Sequence, residues 1–198
     1  MHAELSDDDL LRFSRQILLP QIDIAGQLSL QQSKVLVVGL GGLGSPVAMY
    51  LTAAGVGALH LADFDRVDLS NLQRQIIHDT NSLGHLKVHS AAQRLRSINP
   101  QLVLKLHESA MDVDSLAVVV AEVDLVLDCS DNFSTREAVN AACVSAGKPL
   151  VSGAAIRLEG QLSVFDPRRE DSPCYHCLYG HGGEAGLTCS EAGVVGPL

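Results

Sequence analysis

The 198-residue chain has no surplus of positive charge: 14 lysines and arginines stand against 23 acidic residues, for a formal net charge of −9. Nucleic acid and anionic membrane both call for a basic surface, so the composition argues against either partner, and any local cluster of Arg and Lys becomes informative. Long apolar runs are missing too. None reaches the ~18 residues that a membrane span requires. The opening segment carries Asp7, Asp8 and Asp9 and lacks the basic and apolar regions of a secretory signal. Neither internal repeats nor low-complexity stretches occur. A cytoplasmic chain is expected, and its five cysteines are read as thiols, metal ligands or nucleophiles rather than disulfides. The length and the 46% hydrophobic content favour one domain with a sizeable core.

What is present is organised around residues 35–44. Val35, Leu36, Val37 and Val38 read as a buried strand, and Gly39, Gly41 and Gly44 follow at the spacing G-x-G-x-x-G, with Gly42 inside it. A helix-compatible segment, 45–54, comes next. Glycines at such a turn let backbone N–H groups approach a phosphate, and the helix N-terminus adds partial positive charge. A second strand over 58–63 ends in Asp63, about 20 residues beyond the glycines, where a ribose-binding carboxylate is expected. Asp65 and Asp68 follow closely, and one of these acids is a candidate turn cap.

Ser6 with its three following acids reads as a helix start. Leu10, Leu11, Ile17 and Leu18 give that helix an apolar face, Arg12 and Arg15 share one side of it, and Pro20 ends it. A short helical piece, 24–32, leads to the first strand. Further on come a helix over 84–97 carrying Lys87, a strand over 102–106, and an apolar segment, 113–120, whose β-branched run leaves helix and strand open. A strand over 124–128 runs into Cys129, Ser130, Asp131 and Asn132. Asn132 or Ser134 caps a helix to about residue 146, and strands at 149–152 and 160–165 follow. The alternation predicts an α/β fold, a mostly parallel Rossmann-like sheet with helices on both faces. Residues 1–32 form its N-terminal helical extension, 33–166 its core, and 167–198 a cysteine-containing loop.

The glycine loop, Asp63 and Asp131 all fall at strand carboxyl ends, where such sheets bind ligands. Asn71, Arg74 and Gln75 lie on one short element, and Lys87 on the next. Beside a glycine loop these cations point to more phosphate charge than one ester carries. A carboxylate such as Asp131 near polyphosphate is repelled unless a cation bridges the two, which implies Mg²⁺. Cys174 and Cys177 make a C-x-x-C pair, half of a tetrahedral zinc site. Cys129 and Cys143 sit in apolar surroundings and read as core. His60, His78, His85 and His89 lack metal-ligand spacing.

Arg15-Gln16-Ile17-Leu18-Leu19, Gly39-Leu40-Gly41-Gly42-Leu43-Gly44, Asp63-Phe64-Asp65, Ser70-Asn71-Leu72-Gln73-Arg74-Gln75, Lys87 and Asp128-Cys129-Ser130-Asp131-Asn132 occur together and in order. This combination resembles the ubiquitin-activating-like superfamily over essentially the whole chain, and within it the bacterial sulfur-carrier adenylyltransferases of molybdopterin and thiamin biosynthesis. The resemblance implies ATP-dependent adenylylation of the C-terminal Gly-Gly carboxylate of a small ubiquitin-like sulfur carrier, with release of pyrophosphate. It implies that Gly42, with Gly39, Gly41 and Gly44, lies against the nucleotide and that Asp63 takes the ribose. Ser70, Asn71, Leu72, Gln73 and Arg74 contact nucleotide and phosphates, Lys87 pairs with phosphate charge, and Asp131 with Asn132 sits at the Mg²⁺–phosphate end. The resemblance further implies that Arg15 reaches the ATP of the other subunit in a homodimer.

Cys189 matches a crossover-loop cysteine that takes part in thioester or persulfide chemistry in some members and is dispensable in others. The family carries a second C-x-x-C near its C-terminus. The chain stops at Leu198 before that point, so a truncated chain with structural zinc binding weakened or lost is expected. A sulfurtransferase or cysteine desulfurase is a further implied partner. Residues 152–161 resemble the molybdopterin branch, while 12–19 and 192–197 are at home in the thiamin branch; the molybdopterin carrier is favoured. Two alternatives remain: an NAD-binding oxidoreductase, resting on the glycine loop and Asp63 alone, and a truncated, non-catalytic carrier-binding protein.

Overall fold

The computed structural model describes residues 4–180 and 193–196. Ser6 and Asp9 close a capping box that opens α1 (Asp7–Arg12). The pattern predicts one helix as far as Pro20, but it stops at Phe13. The Phe13 ring is buried against Gly55, within 2.8 Å of where a Gly55 side chain would stand, and α2 (Ser14–Ile17) restarts the turn. The break separates Arg12 from Arg15. Arg12 donates to the Ile98 carbonyl at 3.0 Å, whereas Arg15 is exposed. After α3 (Asp23–Gln32) the chain enters the sheet.

The remaining elements are β1 (Lys34–Val38), α4 (Gly44–Ala54), β2 (Ala58–Ala62), α5 (Lys87–Ile98), β3 (Val103–His107), α6 (Val113–Ala121), β4 (Leu125–Asp128), α7 (Phe133–Ala146), β5 (Leu150–Ile156), β6 (Glu159–Phe165) and α8 (Tyr175–Tyr179). Strand order is β3-β2-β1-β4-β5-β6. All neighbours are parallel except β5 and β6, which pair antiparallel. The expected mostly parallel α/β sheet is therefore present. Chain order reverses between β1 and β4, and that switch point opens a crevice beyond their carboxyl ends. One apolar cluster joins Leu36 and Val126 to Leu116, Val120 and Val139 on α6 and α7; the other joins Val37, Leu59 and Leu61 to Ala48, Val88 and Leu95 on α4 and α5.

Local chemistry settles the segments the pattern left open. Asp112 caps α6, accepting the Ser115 N–H at 2.9 Å, and Leu116, Val119 and Val120 then share one buried stripe. The β-branched run is helical because that stripe has a sheet to cover. Helix α5 begins at Lys87, not at residue 84, because Gly84 turns with φ +78. Asn132, rather than Ser134, caps α7 by accepting the Thr135 N–H at 2.9 Å. The tail expected as loop contains the short helix α8. The Gln16 and Gln27 amides donate to the Ala54 carbonyl at 2.8 and 3.2 Å, tying the N-terminal helices to the far end of α4.

His60 on β2 and His107 on β3 face each other with ring centroids 5.6 Å apart, and His60 Nδ1 and His107 Nε2 are buried without a hydrogen-bond partner among the described residues. Burial, reinforced by the Lys105 charge, holds the His60 pKa down to about 4. Burial likewise lowers those of His78 and His107. The unfolded chain therefore binds more protons between about pH 6.5 and 4, and stability present above pH 6.5 is lost as pH falls through that window. Between pH 7 and pH 5 the loss attributable to His60 is expected to be about 1–2 kcal/mol. Urea unfolding of the wild type and His60→Leu at both pH values checks this; an identical pH dependence in the two proteins would refute it.

Candidate functional site

The crevice between β1 and β4 holds a cavity of about 860 Å³. Its floor is the glycine turn. Gly39 has φ +88, and a Cβ there would stand 2.8 Å from the Cys129 carbonyl oxygen, so the turn leaving β1 lies directly against the turn leaving β4. A Cβ on Gly44 would stand 1.9 Å from the Gly39 carbonyl oxygen. Gly44 is thus a packing glycine buried behind the loop, whereas Gly39, Gly41 and Gly42 line the cavity.

The end of β2 pins this turn. Asp63 accepts the Leu40 N–H at 2.7 Å and the Asp65 N–H at 2.9 Å. His78 sits behind it, with Nε2 3.1 Å from the Leu40 carbonyl oxygen and Nδ1 2.9 Å from Ser90 Oγ. Its role is structural. Asp68 is the turn cap, accepting the Ser70 N–H at 2.8 Å and its hydroxyl at 2.6 Å.

Across the cavity, Asp128 is 1% exposed and accepts the Ser130 N–H at 3.0 Å and hydroxyl at 2.6 Å. Burial pushes its carboxyl pKa up, against those hydrogen bonds. The same burial lifts the Cys129 thiol to about 12, which removes it as a nucleophile at neutral pH. This anchored turn carries Asp131 and Asn132 to the cavity wall. The Asn132 side-chain oxygen is committed to the α7 cap, leaving its amide N–H₂ for other work.

Three cations line the cavity, Arg74, Lys87 and Arg136, with four carboxylates, Asp63, Asp65, Asp131 and Glu159. Lys87 is 5% exposed and already bound to Asp65 at 2.9 Å. The Arg74 stem lies 3.5 Å from a Cβ position on Gly42. Its guanidinium makes no hydrogen bond or ion pair among the described residues. Asn71 also reaches the wall, but Ser70, Leu72 and Gln73 do not line it, and Ser70 is occupied by Asp68. Arg15 is not a lining residue of this chain's cavity. Cys189 lies outside the described residues.

Arg136 is the residue that the sequence reading missed. One turn into α7, it donates to the Ser130 carbonyl at 2.6 Å and faces the cavity. The available signal was a cation one helical turn beyond the capping Asn132. Tyr175 and Tyr179 of α8 were missed as well; their rings meet Phe165 of β6 edge-to-face and both line the cavity.

Cys174 and Cys177 meet at the start of α8 with Sγ atoms 3.3 Å apart. Burial acts to raise the Cys174 thiol pKa, but hydrogen bonds from Cys177 and Asn140 outweigh it and leave the thiol below its ordinary value. Among the described residues no group of three or more His, Cys, Asp or Glu gathers to hold a metal. The pair alone is half the number of ligands that a structural zinc site uses. Among the same residues, no helix is long and apolar enough to cross a membrane.

The family model described as ThiF family matches residues 13–198. Molybdopterin-synthase adenylyltransferase of Escherichia coli strain K12 is 52% identical over 196 residues, covering 99% of this chain and 78% of that protein. The sulfur carrier protein ThiS adenylyltransferase of the same strain is 46% identical, covering 98% and 77%. Among solved structures, E. coli tRNA N6-threonylcarbamoyladenosine dehydratase in complex with ATP is 28% identical with a TM-score of 0.74. The match covers 79% of this chain and 65% of that one, so the chain spans just under two thirds of that protein.

The two kinds of glycine separate experimentally. Gly44→Ala is expected to lower unfolding free energy by about 3 kcal/mol or more, because the start of α4 must move away from the Gly39 carbonyl. Gly42→Ala meets no atom closer than 3.5 Å and is expected to cost less than about 1 kcal/mol. Urea denaturation of both variants checks the contrast, and equal losses would contradict the close approach of Gly44 to Gly39.

Proposed function

This chain belongs to the ThiF family, and we propose that it adenylylates the C-terminal carboxylate of a small sulfur-carrier protein at the expense of ATP. The observation that carries the proposal is the convergence of the glycine turn, Asp63, Arg74 and Asp131 on one cavity, in a chain 52% identical to an adenylyltransferase over 99% of its length. Hydride transfer, the alternative chemistry for a glycine turn of this kind, leaves Arg74, Lys87 and Asp131 without work.

In this reading Asp63 takes the ribose hydroxyls and the N–H groups of the glycine turn meet the phosphates. The carrier's carboxylate is ionised at neutral pH and needs no general base. It attacks the α-phosphorus while the bond to pyrophosphate breaks, and the growing negative charge is met by Arg74, Lys87 and Arg136. Lys87 exchanges part of its contact with Asp65 for phosphate. A sulfurtransferase or cysteine desulfurase is the class of partner that would use the resulting acyl-adenylate.

The charge balance of the cavity supports two further parts of the proposal. Three lining cations against four carboxylates leave no positive surplus for a ligand with a charge of about −4, so additional cations are required. Asp131 supplies one exposed carboxylate at the wall, which suits Mg²⁺, an ion that takes one or two protein carboxylates together with phosphate oxygens. Magnesium would supply charge neutralisation between Asp131 and the phosphates. The second source is Arg15. Exposed and absent from its own cavity, it is available to a partner subunit's site in a homodimer. Among the described residues Cys174 and Cys177 would give zinc only half a site, and no step depends on it.

ATP–pyrophosphate exchange tests the reaction. Stimulation by a Gly-Gly-ended carrier is expected, with the molybdopterin-synthase and thiamin carriers presented separately to distinguish the pathways. Arg74→Ala and Asp131→Ala should each lower exchange about 10²–10³-fold; an unchanged rate in either would remove that residue from the mechanism. Arg15→Ala and Asp131→Ala chains, each inactive alone, should recover about a quarter of wild-type activity when mixed and allowed to exchange subunits, because the mixed dimer retains one complete site. No recovery would exclude action across subunits.

A further inference from the structure

Leu40, between the first two glycines of the turn, is fully buried, and side chains grip both polar groups of its backbone. Its N–H donates to Asp63 at 2.7 Å. Its carbonyl meets two buried side chains that do not line the cavity, His78 through Nε2 at 3.1 Å and the Ser45 hydroxyl at 3.4 Å. A carbonyl oxygen only accepts, so Nε2 carries a proton. Burial holds the His78 pKa below its ordinary value, and a neutral imidazole has a single N–H. Nδ1 is then an acceptor, matched by the Ser90 hydroxyl of α5 at 2.9 Å. Ser90 thus fixes the tautomer that suits Leu40.

The peptide joining Leu40 to Gly41 is trans, so its C=O and N–H point in opposite directions. Holding the carbonyl behind the turn directs the Gly41 N–H toward the cavity that Gly41 lines. That N–H has no hydrogen-bond partner among the described residues. Glycine resists few backbone conformations, so sterics alone would let this peptide flip and put the carbonyl at the wall instead. A carbonyl there repels an anionic ligand, whereas an N–H binds one. The donors on Leu40 select between the two orientations, and His78 is the nearer of them.

We propose that His78 is a positioning residue for nucleotide binding, which acts through the Leu40 carbonyl to hold the 40–41 peptide with the Gly41 N–H facing the ligand. His78 itself touches no ligand. The choice of ATP as that ligand rests on the adenylylation reading, but binding can be measured without a carrier protein.

Calorimetric titration of the full chain with ATP, well below the lowest melting temperature of the set, compares two amides. In His78→Gln the amide nitrogen can take the place of Nε2 and donate to Leu40. In His78→Asn it reaches only the place of Nδ1, beside Ser90. His78→Gln should bind ATP within about threefold of wild type, and His78→Asn about tenfold more weakly or worse. A histidine that only stabilises the fold would instead give losses of affinity that follow the melting temperatures of the two variants. That pattern, or wild-type affinity in His78→Asn, would overturn the proposal. Nuclear magnetic resonance of the wild type supplies a check that needs no variant: the Gly41 amide proton should move downfield on addition of ATP, and an unmoved signal would equally overturn it. If the wild-type chain binds no ATP, the adenylylation reading and the role of His78 fall together. If it binds ATP and supports exchange while His78→Asn matches it, only the role of His78 falls.

Discussion

Two backbone turns in near contact hold the site together. The turn leaving β1 and the turn leaving β4 come so close that a side chain on Gly39 would meet the Cys129 carbonyl at 2.8 Å. Parallel pairing of Val35–Val38 with Leu125–Asp128 brings both turns to the same edge of the sheet. The reversal of strand order then leaves the space above them uncovered by a crossover helix. Each neighbouring feature reinforces this contact. Asp63 holds Leu40 from one side, Asp128 holds Ser130 from the other, and Arg136 clamps the Ser130 carbonyl from α7.

The division of labour among the carboxylates follows from burial. Asp128, deep and surrounded by donors, serves the backbone of its own turn. Asp131, three residues later and exposed, has no such duty and is available to a cation. Asp65 neutralises Lys87, and Asp68 caps a turn. Acids that look equivalent along the chain are therefore assigned different work by the depth and donor supply of each position. The acidic balance of the cavity means that a polyphosphate ligand needs further positive charge, and the proposed magnesium ion and the proposed Arg15 of a second subunit would answer that one electrostatic need.

Much of this was legible in the residues. Strand ends, a glycine spacing and an acid about 20 residues on are local signals, and the positions of Asp63 and Asp131 at strand ends were legible in them directly, whereas the α7 cap was narrowed only to Asn132 or Ser134. Other features were not. Nothing local to residues 6–20 predicts the break at Phe13, because its cause is a pocket beside Gly55, distant in sequence. The helix over 113–121 required knowing that a sheet face lay beneath it. Nothing in the residues around Arg136 marks it, because its contact with the Ser130 carbonyl and its place at the cavity exist only once α7 is docked beside β4.

The sequence by itself determined the class of fold, the presence of a nucleotide-binding turn and the family, because residue type and spacing record which backbone approaches are sterically allowed and which charges are present. The tertiary structure decided which of those charges remain available. Hydrogen-bond partners and burial depend on which strands and helices become neighbours, and the same aspartate, lysine or glutamine is spent on the fold or left facing the cavity accordingly.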